Sequence, residues 1–242
     1  MNGSVKNPEG DASAQPLTIK LDAGRSVSGL LQTATGAPAC YVMAHGAGAG
    51  MQHPFLAKVA SGLAERNIDT LRYQFLYMEQ GSKRPDTPAL AQAAVRAAVT
   101  EAAVRAPERA LFAGGKSFGG RMTSQAQAAS PLLGVRGLVF LGFPLHPPGR
   151  PSDDRAKHLF EIQIPMLFLQ GDRDEFAHLP LLQSVTERLG ARATLKLFPD
   201  ADHSFHVPAR SGRQDFEVMA QMLDFMRNWM ASVLSSPAGA KG

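Results

Sequence analysis

The sequence contains a single cysteine and no apolar stretch of the roughly eighteen residues that a membrane-spanning helix needs. Cys40 therefore cannot form a disulfide within the chain, and its apolar neighbours predict a small buried side chain rather than a reactive thiol. Residues 1–16 lack the basic flank and apolar stretch of a signal peptide. We therefore expect a cytoplasmic protein that does not enter a membrane.

Charge of one sign is not concentrated anywhere in the chain. The 25 Lys and Arg residues are scattered among 21 Asp and Glu residues, giving a net charge of +4 without a run of about five like charges. The basic pair at residues 83–84 stands beside Pro85 and Asp86, which is typical of a solvated loop. Because a nucleic-acid-binding domain usually presents a basic face or stripe, we expect no nucleic-acid partner.

The chain does have enough apolar sequence to build a core. Of its 242 residues, 44% are hydrophobic, and α/β folds of this length commonly form one domain. We predict a single domain over residues 17–234, with loose tails at residues 1–16 and 235–242. We expect a monomer or a homodimer.

Short apolar runs alternate with longer helical patterns along the chain. This alternation predicts an α/β fold: a mostly parallel, doubly wound sheet of seven or eight strands with helices on both faces. The predicted strands cover residues 40–44, 68–75, 110–114, 135–143, 165–170 and 194–198, and a weaker edge hairpin covers residues 17–21 and 27–32. The predicted helices cover residues 54–66, 88–106, 118–129, 179–189 and 215–233.

Two further segments bear on function. Residues 144–161 are rich in Pro, Gly and Asp, which predicts a surface excursion too short for a large lid domain. In the last predicted helix, methionines and aromatic residues recur at helical spacing, which indicates core packing rather than a cofactor site. These residues are Phe216, Met219, Met222, Leu223, Phe225, Met226 and Trp229.

The turn between the third parallel strand and the third predicted helix carries the motif G-x-S-x-G at residues 115–119. In this strand–turn–helix setting the motif predicts a nucleophile elbow, in which Ser117 lies on a strained turn. The flanking glycines let neighbouring backbone come close to that turn. The alternative interpretation is a glycine-rich turn without a chemical role.

Two nucleotide-binding motifs come close to fitting and fail. Residues 115–117 resemble the end of a P-loop, but the first glycine of G-x-x-x-x-G-K-[ST] would fall at Ala110. The glycine-rich residues 46–51 fall short of G-x-G-x-x-G because Met51 stands where the last glycine is needed. No spacing of His, Cys or carboxylate residues resembles a metal site. We expect no cofactor and no metal.

A serine hydroxyl becomes a good nucleophile when a histidine removes its proton and an acid orients that histidine. Candidates follow Ser117 in the chain order Ser, Asp, His that this type of sheet favours. Asp172 and Asp174 follow one predicted strand, and His203 and His206 follow the next. Both pairs lie just past the carboxyl ends of strands, where α/β folds place their sites.

With these residues the chain resembles a member of the α/β-hydrolase superfamily over about residues 41–230. The resemblance is carried by H-G-A-G-A-G at 45–50, G-G-K-S-F-G-G-R at 114–121, L-G-F-P-L at 141–145, G-D-R-D at 171–174 and D-H-S-F at 202–205. Within the superfamily the chain is similar to a small dienelactone-hydrolase-like group that includes relatives of the third subunit of the NSL chromatin complex. Dienelactone hydrolases typically carry cysteine where this chain has Ser117.

The resemblance implies a catalytic triad of Ser117, Asp174 and His203. The acid of the superfamily commonly follows a G-x-x-D pattern, which matches Asp174 and leaves Asp172 as the alternative. The base matches the histidine of D-H-x-F at His203, which leaves His206 as a neighbouring polar contact.

The resemblance also implies an oxyanion hole formed by the backbone N–H groups of Ala47 and Phe118. Six residues are expected to line an apolar substrate pocket: Met51, Phe55, Tyr77, Phe143, Leu145 and His146. We therefore expect a serine hydrolase that cleaves a small-molecule carboxylic ester or thioester through an acyl-enzyme. The alternatives are a non-catalytic protein-interaction scaffold with this fold, and cofactor-free oxidation on the same triad.

Overall fold

Eight strands form one sheet in the computed structural model, which describes residues 14–22 and 24–236. The strands are β1 (Ala14–Lys20), β2 (Ser26–Gln32), β3 (Ala39–Ala44), β4 (Ile68–Tyr73), β5 (Ala110–Lys116), β6 (Val135–Leu141), β7 (Met166–Gly171) and β8 (Ala193–Phe198). Their order across the sheet is β1-β2-β4-β3-β5-β6-β7-β8. The strands from β3 to β8 are parallel, and the β1–β2 hairpin adds antiparallel strands at one edge.

The central strands are apolar along their whole length because both of their faces are covered. Every residue of β3 and β7 is buried, which is the pattern expected of parallel strands between two helical layers. β8 is only partly buried because it forms the far edge of the sheet.

Helices cover both faces of the sheet. They are α1 (Pro54–Ala64), α2 (Leu76–Glu79), α3 (Pro88–Arg105), α4 (Phe118–Ala129), α5 (Leu179–Leu189) and α6 (Asp215–Ser235). Buried side chains of α1 and α6 share one apolar cluster, and those of α3, α4 and α5 share the other. This arrangement confirms the predicted doubly wound α/β fold. In the described part of the chain, no helix combines the length and apolar character needed to cross a membrane.

The apolar stripe of α6 packs as predicted, except at its first residue. Met222, Met226 and Trp229 are buried against the sheet. Phe216 is 69% exposed because it lies in the first turn of α6, beyond the edge of the cluster. The prediction that Phe216 belongs to the core is therefore wrong.

Several boundaries differ from those predicted. Of the predicted tails, residues 14–16 belong to β1, Ser235 belongs to α6, and residues 1–13 and 237–242 lie outside the described residues. β4 ends at Tyr73 rather than at residue 75, because the Phe75 backbone N–H donates to the side chain of His45 instead of to a strand. The predicted surface excursion at residues 144–161 contains a 3-10 helix at Asp154–Glu161.

Candidate active site

Ser117 lies on the sharp turn between β5 and α4. Its backbone has φ 49° and ψ −115°, a conformation that costs an L-residue roughly 1–3 kcal/mol. A Cβ added at Gly115 would come 2.2 Å from the carbonyl oxygen of Ala44, and one at Gly119 would come 2.6 Å from the same oxygen. The flanking glycines are therefore required, since any side chain at these positions would collide with the end of β3.

A continuous series of hydrogen bonds joins three side chains at the carboxyl ends of the strands. Nε2 of His203 lies 2.9 Å from Oγ of Ser117, and Nδ1 of His203 lies 2.6 Å from Oδ2 of Asp174. Asp174 follows β7 and His203 follows β8, so the sheet brings together residues that are far apart in the chain. The structure places Asp174 rather than Asp172 against the histidine.

His206, the alternative base, lies on the surface. Its Nδ1 is 2.9 Å from Oδ2 of Asp215, and its side chain is 62% exposed. The hydrogen bond to Asp215 raises the pKa of His206 above its ordinary value. His206 also stabilises its loop, since its backbone N–H donates to Asp202.

The carboxylate of Asp174 is buried and held by two further donors. Gln170 Nε2 donates to Oδ2, and the backbone N–H of Phe176 donates to Oδ1 at 2.8 Å. Oε1 of Gln170 in turn accepts from the backbone N–H of Phe143 at 2.8 Å. Gln170 is not among the residues predicted from the sequence, although a lone amide in the otherwise apolar run of β7 is a signal that could have identified it.

Lys116 also belongs to the site, although from the sequence it was considered only as part of a P-loop motif. Its Nζ donates to the backbone carbonyl of His203 at 2.5 Å, which ties the histidine loop to the end of β5. Burial lowers the pKa of Lys116 to about 8, against the opposing influence of Asp174 and Asp202. Lys116, which directly precedes the nucleophile, thus holds the backbone of His203.

The loop after β3 carries the predicted second oxyanion donor. Tyr77 Oη accepts from the N–H of Gly48 at 2.8 Å, and Gln74 Oε1 accepts from the N–H of Met51 at 2.8 Å. By contrast, the backbone N–H groups of Ala47 and Phe118 donate to no protein group within residues 14–22 and 24–236. Both remain available to a ligand.

His45 anchors the same loop from inside the core. Its Nδ1 lies 2.7 Å from the carbonyl oxygen of Gly46, and its Nε2 accepts from the N–H of Phe75 at 3.1 Å. Burial lowers the pKa of His45 to about 4, so the ring is neutral near neutral pH. This neutral ring fixes the start of the glycine-rich loop.

A cavity of about 330 Å³ opens in front of Ser117. Its walls are formed by Gly46, Ala47, Ala49, His53, Phe55, Leu56, Lys116, Ser117, Phe176, His203 and Ser204. It is lined mainly by apolar atoms and small residues and contains no carboxylate. A cavity of this size suits a small organic ligand.

Of the six residues predicted to line the pocket, Phe55 does so. Phe143 and Leu145 instead belong to the hydrophobic core, where Phe143 packs against the rings of both Phe140 and Phe168. The remaining three, Met51, Tyr77 and His146, are buried and lie off the cavity wall. The side chains of Phe143 and Leu145 thus fill the core rather than the site.

The described residues contain no group of three His, Cys, Asp or Glu side chains placed to hold a metal ion. Cys40 is buried in β3, and burial raises the pKa of its thiol to about 12. The polar side chains on the cavity wall are those of His53, Lys116, Ser117, His203 and Ser204.

Comparison with known proteins agrees with this architecture. The family model for the alpha/beta hydrolase domain matches residues 37–231. Among solved structures, an α/β serine hydrolase without a lid from Xanthomonas campestris superposes with a TM-score of 0.71 at 22% identity, over 92% of this chain and 98% of that chain. A dienelactone hydrolase from Anabaena variabilis gives a TM-score of 0.71 at 20% identity, over 91% and 98% of the two chains.

An esterase from Pyrococcus furiosus is similar in the same way, with a TM-score of 0.68 at 16% identity over 95% of this chain and 96% of that one. At these identities the structural matches show a shared fold. The narrower resemblance to relatives of the third NSL subunit stays a prediction.

Proposed function

This chain belongs to the α/β-hydrolase domain family, and we propose that it is a serine hydrolase that cleaves a carboxylic ester or thioester through an acyl-enzyme on Ser117. The observation that carries the proposal is the hydrogen-bond series from Asp174 through His203 to Ser117. A serine that served only as a turn residue would require neither the strained backbone nor a histidine oriented by a buried carboxylate.

In the first half of the reaction, Oγ of Ser117 attacks the carbonyl carbon while Nε2 of His203 takes the hydroxyl proton. Asp174 holds the Nδ1 proton of the imidazole and stabilises the cation that forms. His203 then gives the proton to the departing alcohol or thiol as its bond to the acyl carbon breaks. The acyl group remains on Ser117.

In the second half, His203 takes a proton from water, and the resulting oxygen nucleophile attacks the acyl-enzyme. The carboxylic acid leaves as Oγ of Ser117 regains the proton from His203. In both halves, negative charge on the carbonyl oxygen is stabilised by the N–H groups of Ala47 and Phe118, which donate to no acceptor in the part of the chain that the structure describes.

The test is covalent labelling of the folded protein with a fluorophosphonate probe, which reacts with activated serines. The wild type should label, and Ser117→Ala should not. Labelling of Ser117→Ala at the wild-type rate would disprove the choice of nucleophile. A wild-type protein that neither labels nor hydrolyses p-nitrophenyl acetate would favour the scaffold alternative.

A further inference from the structure

A second concavity, of about 550 Å³, lies between α1 and α6 beside the cavity described above. We call it the α1–α6 groove. Its apolar surface comes from both helices and from the histidine loop, and includes Phe55, Phe205, Phe216, Met219 and Leu223. The two helices approach closely at its base, where a Cβ added at Gly62 would lie 2.3 Å from Leu223.

The groove adjoins the cavity in front of Ser117. Phe55 and Ser204 line both spaces. The rings of Phe55 and Phe205 are stacked with centroids 5.8 Å apart, forming a flat apolar step between the two. An extended molecule that leaves the cavity across this step would enter the groove directly.

The groove exposes an aromatic side chain that the fold itself does not bury. Phe216 is 69% exposed, although it begins a helix whose later apolar residues are packed. Burial of such a ring by a ligand would be favourable, at roughly 25 cal/mol for each Å² of apolar surface removed from water.

Two of the charged groups that line the groove, Arg66 and Asp215, are paired within the protein. Nε of Arg66 lies 2.7 Å from Oδ1 of Asp224, and Asp215 is bonded to His206. Lys58 also stands near Asp215, whose pKa it helps to lower after the larger influence of His206. Because these charges compensate one another, the groove favours an uncharged apolar chain over an anionic group.

We propose that the α1–α6 groove is a substrate subsite that takes the distal part of an ester bearing an extended apolar chain. This inference rests on the proposed hydrolysis at Ser117 and specifies its substrate class. The cavity of 330 Å³ holds the reacting ester, and the chain continues over Phe55 into the groove. Each methylene that leaves water should then raise kcat/KM by up to about fourfold.

The experiment compares p-nitrophenyl octanoate with p-nitrophenyl acetate below the micelle concentration. The wild type should show a higher kcat/KM for the octanoate. In Phe216→Ser the ratio of octanoate to acetate kcat/KM should fall by about tenfold, because the ring no longer covers the chain. Leu133→Ser is the matched control, since Leu133 is also highly exposed but lies outside the groove, and it should keep the wild-type ratio.

A second variant tests the groove by filling it rather than by removing part of its apolar surface. Ala220→Trp places a bulky side chain on the groove wall and should also lower the octanoate to acetate ratio. An unchanged ratio in the folded Phe216→Ser protein would overturn the proposal. So would conversion of a wild-type dimer into a monomer by Phe216→Ser without a change in the ratio, because the groove would then be a contact between two copies.

These outcomes are distinct from failure of the proposed function. A wild-type protein that labels with the fluorophosphonate and hydrolyses the acetate, but shows no preference for the octanoate, would overturn only the groove subsite. Absence of both labelling and acetate hydrolysis in the wild type would contradict hydrolysis at Ser117, and the subsite with it.

Discussion

Ser117 keeps a backbone conformation with positive φ because the residues on both sides of it are fixed by β6 and α4. Its N–H donates to the carbonyl oxygen of Leu141 at 3.2 Å, and α4 begins at the next residue. The free energy stored there, roughly 1–3 kcal/mol, is offset by packing elsewhere in the domain. The strain aims the hydroxyl at His203 and away from the helix that follows.

Lys116 provides a prediction at the same scale. Lys116→Met keeps an apolar stem but removes the donor to the His203 carbonyl, so the histidine should be held less firmly. We expect kcat for p-nitrophenyl acetate to fall by about ten- to a hundredfold with little change in KM, since small misplacements of a base are costly. Steady-state kinetics of the two proteins, with thermal denaturation to verify folding, make the comparison.

Lys116→Arg is the control for this variant, because a guanidinium can still donate to that carbonyl and should recover part of kcat. A Lys116→Met enzyme with normal kcat and raised KM would instead assign the lysine to substrate binding.

The residues of the site were predictable to different degrees. A recognisable strand precedes each of Ser117, Asp174 and His203, and the three follow one another in a recognisable order. Their meeting at the carboxyl ends of the strands could therefore be predicted from the sequence. Lys116 and Gln170 act through contacts across the sheet, which depend on side-chain direction. For the same reason the sequence could not show that Phe143 turns into the core.

At the scale of elements, the approach of α4 to β3 positions the site. Gly119 in the first turn of α4 lies against the carbonyl oxygens of Ala44 and His45, each 2.6 Å from where its Cβ would be. Backbone atoms at that distance can move only if the helix moves with them. Gly119 therefore sets the distance between α4 and β3.

Gly119→Ala should accordingly lower the free energy of unfolding by about 1–3 kcal/mol, the usual range for overpacking. Urea denaturation followed by the fluorescence of Trp229 would measure it. Gly24→Ala is a suitable control, because a Cβ there meets nothing within 4 Å and Gly24 has no positive φ. Equal destabilisation of the two variants would contradict a specific role for the contact.

Helices were predicted more accurately than strand ends. α4 and α5 have the predicted limits, since apolar periodicity is a local signal. β4 was predicted two residues too long because the interruption comes from His45, a residue of another segment. Local sequence cannot report a hydrogen bond made by a distant side chain.

At the scale of the whole molecule, the buried histidines make stability depend on pH. Burial lowers the pKa of His45 from 6.5 to about 4, and His158 is lowered to about 4 mainly by burial as well. The unfolded chain then binds protons that the folded chain does not, so their contribution is complete above pH 6.5 and is lost as pH falls toward 4.

Between about pH 7 and pH 5, His45 alone should remove about 2 kcal/mol of stability. His206 acts in the opposite sense because its pKa is raised, but it is exposed and contributes little. Urea unfolding at the two pH values would show the loss, and His45→Asn should make it smaller by about that amount. An identical pH dependence in His45→Asn would exclude this residue as the cause.

The doubly wound fold class could be predicted because alternating strands and helices have few stable arrangements. The order of the strands could not. β3 lies between β4 and β5, and nothing in its apolar residues selects those neighbours over others. Pairing is decided by the packing of all the layers together, which single segments do not encode.

Cys40 gives this central position of β3 a practical consequence. The thiol is fully buried in the apolar cluster between the sheet and the layer of α3 and α4, so a maleimide reaches it only after that layer has come away from β3 or the domain has unfolded. Because the chain contains no other cysteine, the rate at which the unmodified protein is alkylated reports how often its core opens. The native cysteine is therefore a probe of unfolding that requires no engineered label.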